Sequence, residues 1–221
     1  MADELLETAI SNWGPRFTAS GVDASDYARV TSQLQSWNDW CAGWSRAGDD
    51  HVALADAALG EGRTLSAGEA LQRAATYYHF GKFLFVHDLD QARATHERAV
   101  DAATRGLPLL SPAGRRVDVP YGHGRLVGVL RSPQPDSPLP TVLLVPGLDS
   151  AKEEFPLVEA TFHARGLATF SLDGPGQGES EWEFPIEPDW APVGAAVLDA
   201  LRSCSEVDSA RIGVWGVSLG G

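Results

Sequence analysis

Arg211-Ile-Gly-Val-Trp-Gly-Val-Ser-Leu-Gly-Gly221 is the stretch that decides the fold. Residues 211–216 have the composition of a strand, and Gly216-Val217-Ser218-Leu219-Gly220 matches Gly-x-Ser-x-Gly. In that pattern a sharp strand-to-helix turn needs glycines to avoid clashes, and it leaves the serine hydroxyl exposed as a nucleophile. In a chain with 23 glycines the pentapeptide alone is a weak signal, and a structural Gly-Ser turn is the plain alternative. The residues upstream strengthen it. Thr141-Val-Leu-Leu-Val145 is a continuous apolar run, typical of a strand buried on both faces of a parallel sheet. A helix is predicted from Lys152 to Arg165, closed by Gly166. Leu167-Ala-Thr-Phe-Ser-Leu172 is the next buried strand and Pro192 to Cys204 the next helix. The serine motif thus ends the third strand of a strand–helix series. Such alternation implies right-handed crossovers and a doubly wound, mostly parallel α/β sheet.

Further upstream, Arg116-Val-Asp-Val-Pro120 and Leu126-Val-Gly-Val-Leu130 flank Tyr121-Gly-His-Gly124 and read as an antiparallel pair, with Ser132 to Pro138 a surface loop. Before Pro112 the texture differs: Ala, Leu, Glu and Arg are frequent, prolines are few, and apolar residues such as Leu71, Ala74, Ala75 and Tyr78 recur at helical spacing. Two domains are therefore expected, a helical cap or substrate domain over 1–111 and the N-terminal part of a catalytic domain over 112–221. Asp23-Ala-Ser-Asp26 and Ser66-Ala-Gly-Glu69 have the form of helix starts, the second as a capping box. The longest helix is predicted to run from there to about Phe85, and a further one from Asp90 to Thr104, ended by Gly106 and Pro108. No repeat of fixed period is present.

Pro146-Gly147-Leu148 follows the first parallel strand, the place where enzymes with this elbow put their second oxyanion donor. Backbone N–H groups of Leu148 and Leu219 are the candidates for that oxyanion hole, with Ser218 the candidate catalytic nucleophile. The plainer reading of Gly147-Leu-Asp-Ser150 is a turn in which Asp149 or Ser150 caps the next helix, and both readings can hold together. Asp173-Gly-Pro-Gly-Gln-Gly178 fails as a dinucleotide loop, because Glu179 stands where the third glycine belongs and Pro175 stiffens the turn. It reads as a tight turn beside the active site. All six histidines precede Ser218. His79 and His87 lie in an aromatic stripe, Tyr77 to Phe85, that is either helix core or, in part, pocket lining; His123 and His163 read as surface or packing residues.

Four stretches together carry a resemblance: Tyr77-Tyr-His-Phe-Gly-Lys-Phe-Leu-Phe85, Gly147-Leu-Asp-Ser-Ala-Lys-Glu-Glu154, Phe170-Ser-Leu-Asp-Gly-Pro-Gly-Gln-Gly-Glu179 and Gly216-Val-Ser-Leu-Gly-Gly221. With them the chain resembles the α/β-hydrolase family typified by 2,6-dihydroxypseudooxynicotine hydrolase, which includes FrsA-like esterases and polyketide-shortening hydrolases. The resemblance implies an α/β-hydrolase fold, incomplete here, behind an N-terminal helical domain. It implies a serine hydrolase acting beside a carbonyl group, in some members by breaking a C–C bond in a ketone or β-diketone. A carboxylesterase using the same serine and a non-catalytic binding protein of the same fold are the alternatives. In this fold the triad runs Ser, Asp or Glu, then His. The acid and base are thus expected beyond Gly221, and the 221-residue chain alone is expected to be inactive and to fold poorly.

Composition narrows the partners. A formal charge of -13 lacks the basic face that phosphate binding demands, which argues against nucleic acid. No apolar run is long enough to cross a bilayer and no leader is recognisable, so a cytoplasmic protein without a membrane partner is expected. Cys41 and Cys204 fit no metal or redox spacing and read as buried thiols. The expected partner is a small molecule bearing a carbonyl; no cofactor or metal is required, and homodimerisation is left open.

Overall fold

The computed structural model describes residues 3–221. These form two compact units that divide between Leu110 and Ser111. No helix among the described residues is long and apolar enough to cross a membrane.

The first unit is helical: α1 (Glu4–Ala19), α2 (Ala24–Thr31), α3 (Trp40–Gly60), α4 (Thr64–Lys82) and α5 (Leu89–Gly106). Asp23 caps α2 as its sequence suggests, accepting from the Ser25 N–H. Ser66 does not cap α4. The turn after α3, with Gly62 at φ 74°, returns the chain to helical geometry at once, so α4 starts at Thr64 and Ser66 already lies inside it. The longest helix is α3, with 21 residues against 19 in α4. Its close packing on α4 relies on Gly48, where a Cβ would stand 2.5 Å from the Tyr78 ring. Tyr77, Tyr78, His79, Phe80, Phe83 and Phe85 are all buried. Phe80 stacks on Phe17 at 3.8 Å, and the Tyr77 hydroxyl donates to Asp26. The aromatic stripe is therefore the core of this unit.

The second unit holds one sheet: β1 (Gly114–Tyr121), β2 (Gly124–Arg131), β3 (Leu139–Val145), β4 (Ala168–Asp173) and β5 (Val207–Gly216), in the order β1-β2-β4-β3-β5. The β1–β2 hairpin and the β2–β4 pair are antiparallel, while β4, β3 and β5 are mutually parallel. Two helices make the crossovers, α6 (Pro156–His163) between β3 and β4 and α7 (Ala191–Arg202) between β4 and β5. The predicted helix over 152–165 is shorter than expected. Pro156 has no N–H and disfavours helical geometry at the residue before it, so Lys152–Glu154 form a 3-10 turn and α6 starts at Pro156. Gly166, at φ 75°, closes it as predicted.

The two faces of the sheet differ in kind. On one, Leu143, Val145, Phe170 and Leu172 meet Val193, Val197 and Leu201, which lie one helical turn apart on α7. On the other, β4 presents Thr169, Ser171 and Asp173 at alternate positions, all fully buried. Each is met by the segment that leads into and forms α6. His163 Nε2 lies 2.9 Å from Thr169 Oγ1, Ser171 Oγ donates to Glu159 at 2.5 Å, and Lys152 Nζ donates to Asp173 at 2.6 Å. Arg131 closes the middle of this layer, donating to Glu159 at 2.8 Å and to the Pro112 carbonyl at 2.9 Å. Burial holds the His163 imidazole down at about 4, with the Arg131 charge adding to the effect, so the ring is neutral.

Candidate active site

Ser218 follows β5 and adopts φ 54°, a left-handed conformation rarely taken by residues other than glycine. Its neighbours explain how the turn is made. A Cβ on Gly216 would stand 1.9 Å from the Gly220 carbonyl oxygen, and one on Gly220 would stand 2.5 Å from that of Val145. Only glycine fits at either place. The Val217 N–H donates to Val145 at 3.2 Å, so the elbow is tied directly to the end of β3. Ser218 is exposed, with strained backbone of the kind that collects at functional sites.

The loop after β3 lies against this serine. A Cβ built on Gly147 would stand 3.3 Å from Ser218 Cβ and 3.9 Å from its Oγ. The structure therefore brings Ser218 together with the Gly147–Leu148 segment, while Leu219 follows the serine directly in the elbow. Both leucine side chains are exposed.

Gln177 holds that loop. It is buried in the turn after β4, and its Nε2 donates to the carbonyls of Pro146 and Gly147, both at 2.7 Å. Its Oε1 accepts from the Gly174 N–H at 3.2 Å. Below it lies an ionic cluster. Lys152 Nζ is 2.6 Å from Asp173, 2.7 Å from Glu153 and 2.7 Å from Glu179, and Arg116 forks onto both oxygens of Glu179 at 2.6 and 2.7 Å. Lys152 and Glu179 also donate backbone N–H groups to Asp173, at 2.8 and 2.9 Å. Burial pushes the Asp173 carboxyl above its ordinary value, against the pull of Lys152. Arg116 and Lys152 outweigh burial at Glu179 and hold it down at about 2. The three carboxylates are close enough to share a metal ion, but the lysine ammonium sits among them and serves as their cation.

No hydrogen bond reaches Ser218 Oγ among the described residues. The two histidines of this unit are engaged elsewhere, His163 with Thr169 and His123 against the Phe184 ring at 4.9 Å. The sequence pattern picks out the serine elbow and the Gly147 loop but misses Gln177, Lys152, Asp173 and Glu179. One signal was available: Asp173 ends an otherwise buried strand, and a buried carboxylate requires a cation.

Known proteins resemble this chain. A family model described as Esterase FrsA-like matches residues 26–221. The 2,6-dihydropseudooxynicotine hydrolase of Paenarthrobacter nicotinovorans is 34% identical over 221 residues, covering 99% of this chain and 57% of that protein. A hydrolase from a Fusarium species is 34% identical over 196 residues, 82% of this chain and 47% of its own length. The crystal structure of 2,6-dihydroxy-pseudo-oxynicotine hydrolase superposes with a TM-score of 0.84 at 31% identity, over 95% of this chain and 58% of that one. The chain thus spans about half the length of the curated relatives it matches. The sheet order and the elbow, together with a family match over most of the sequence, place this chain in the FrsA-like esterase family, on the α/β-hydrolase fold.

Proposed function

We propose that the whole protein is a serine hydrolase in which Ser218 attacks the carbonyl carbon of a small-molecule substrate. The observation that carries this reading is the serine held at φ 54° on a glycine-walled elbow with Gly147 packed against it. In the proposed reaction the Ser218 Oγ–carbon bond forms as its proton passes to a histidine. That base lies C-terminal to the serine, with an acid that orients it, following the Ser, acid, His order of the fold. The carbonyl electrons move to oxygen, and the N–H groups of Leu148 and Leu219 receive that negative charge, at about 3–4 kcal/mol per donor. Collapse expels the leaving group, which takes the proton back from the histidine, and water then releases the acyl group from the serine. If the leaving group is the enolate of a ketone or β-diketone, the bond broken is C–C, and this is the reaction we favour. Ester hydrolysis is the second reading, supported by the description of the matching family as esterases. The helical unit, 1–111, is proposed as the cap that shapes substrate choice. No cofactor takes part. Cys41 and Cys204 are buried and outside any disulfide, which supports a reducing, cytoplasmic setting.

A fluorophosphonate should label the whole protein at Ser218, and Ser218→Ala should abolish both the label and turnover. A label that persists in the variant refutes the assignment. Comparison of β-diketones and aryl ketones with matched esters decides which bond is cut.

A further inference from the structure

We infer that Gln177 is a positioning residue that aims the Leu148 N–H at the substrate oxygen. The inference rests on the serine-hydrolase reading. Its physical basis is the peptide unit itself. The Gly147 carbonyl and the Leu148 N–H belong to one planar trans amide, so they point in opposite directions. Whatever holds the carbonyl fixes the direction of the N–H.

Gln177 is the shorter donor to the Gly147 carbonyl, at 2.7 Å against 3.4 Å from the Ser150 N–H. One Nε2 group donates to two successive carbonyls, Pro146 and Gly147, at 2.7 Å each, while Oε1 takes the Gly174 N–H at 3.2 Å. Carbonyl oxygens only accept, so these partners also fix which end of the Gln177 amide is nitrogen. Both donor hydrogens are used and the side chain is buried. Its own backbone is anchored too, the Gln177 N–H donating to Gly174 at 3.0 Å. The two carbonyls face Gln177, and the peptide N–H of Leu148 faces away from it. Gly147 meanwhile stands next to Ser218. The turn after β4 thus sets the geometry of a donor on the loop after β3, although Gln177 touches neither the serine nor a substrate.

The experiment uses the whole protein with Gln177→Leu, which keeps the bulk and removes the donors, and Gln177→Glu, which turns an acceptor toward the two carbonyls. Both should lower kcat about a hundredfold, the scale set by a displaced oxyanion donor, and leave KM within about threefold. Affinity for an aryl boronic acid, whose adduct on Ser218 mimics the tetrahedral intermediate, should fall by the same factor as kcat/KM. A merely structural role would instead lower activity in proportion to the folded fraction and leave the boronate affinity of the folded protein unchanged, and that result overturns the inference. Should neither variant fold, the wild-type boronate adduct decides: an adduct oxygen within hydrogen-bond distance of the Leu148 N–H supports it, and one turned away from it overturns it. Failure of the hydrolase reading shows separately, as wild-type turnover that survives Ser218→Ala or is absent. In that event the crystal structure of Gln177→Leu still tests the positioning role: a Gly147–Leu148 peptide that has turned supports it, and one in its original orientation refutes it.

Discussion

Replacing Lys152 by methionine removes the ammonium from a cluster in which three carboxylates, Glu153, Asp173 and Glu179, are matched by two cations, Lys152 and Arg116. Arg116 stays with Glu179, which leaves the buried Asp173 beside Glu153 with its ammonium removed. Breaking a buried pair on one side costs about 3–5 kcal/mol. There is also a ceiling. Rather than remain charged, one carboxyl can take up a proton, and protonating at pH 7 a carboxyl whose ordinary value is 3.8 costs about 4.4 kcal/mol at 1.36 kcal/mol per unit. Lys152→Met should therefore lose about 3–4 kcal/mol near neutral pH. The sign of the pH dependence follows. In the variant the folded state binds a proton that the unfolded chain does not, so its stability falls as pH rises. Its deficit against the parent should shrink by up to about 1.4 kcal/mol per unit as pH drops from about 6 toward about 4. Urea unfolding across that range measures it, with hydrogen exchange of β3 and β4 amides reporting the sheet unit separately. The double variant Lys152→Met/Asp173→Asn should recover a good part of the loss. A deficit under about 1 kcal/mol, or one that does not change with pH, refutes the reasoning.

At Ser218 the backbone strain can be read without any substrate: at φ 54°, Ser218→Gly should be about 1 kcal/mol more stable than Ser218→Ala in urea unfolding, and the reverse order would mean that the elbow is unstrained. Glu179, ordinarily near 4.5 and held at about 2, stabilises the fold above its unfolded value and loses that contribution as pH falls from about 4.5 toward 2. Glu179→Gln should accordingly cost up to about 3 kcal/mol at neutral pH and flatten the acid limb of the unfolding profile. An acid limb of unchanged slope would place the source of acid sensitivity elsewhere.

The sheet was legible in the sequence because its information is local. Thr141–Val145 and Leu167–Leu172 are short apolar runs between glycines and prolines, and Gly216-x-Ser218-x-Gly220 needs its two glycines for reasons confined to five residues. Helix starts were less legible where tertiary geometry overrode a local pattern. The tight turn at Gly62 made the Ser66–Glu69 box redundant, and Pro156 moved the start of α6 past Lys152. The support beneath the serine was not legible at all. Lys152 reads as a solvated residue in a charged turn until Asp173 and Glu179, 21 and 27 positions further on, are seen around it. Gln177 reads as filler in a glycine turn until it is seen to grasp carbonyls 30 residues upstream. Such side chains carry no periodicity, because their partners are set by the crossing of the chain after β3 and β4.

The contrast between the two faces of the sheet sets different rules for how this unit tolerates change. On the α7 side, Val193, Val197 and Leu201 answer only to volume and shape, so exchanges among aliphatic residues of similar size should cost little when compensated by a neighbour. On the α6 side each buried group on β4 has a named partner, and a residue of equal volume that cannot donate or accept leaves that partner stranded. Thr169, Ser171 and Asp173 can therefore change only together with His163, Glu159 and Lys152. A library that randomised both faces alike would return scattered single replacements from one and linked pairs from the other. Such linkage would mark the turn at Lys152, the helix α6 and the strand β4 as a unit that can be transplanted only whole.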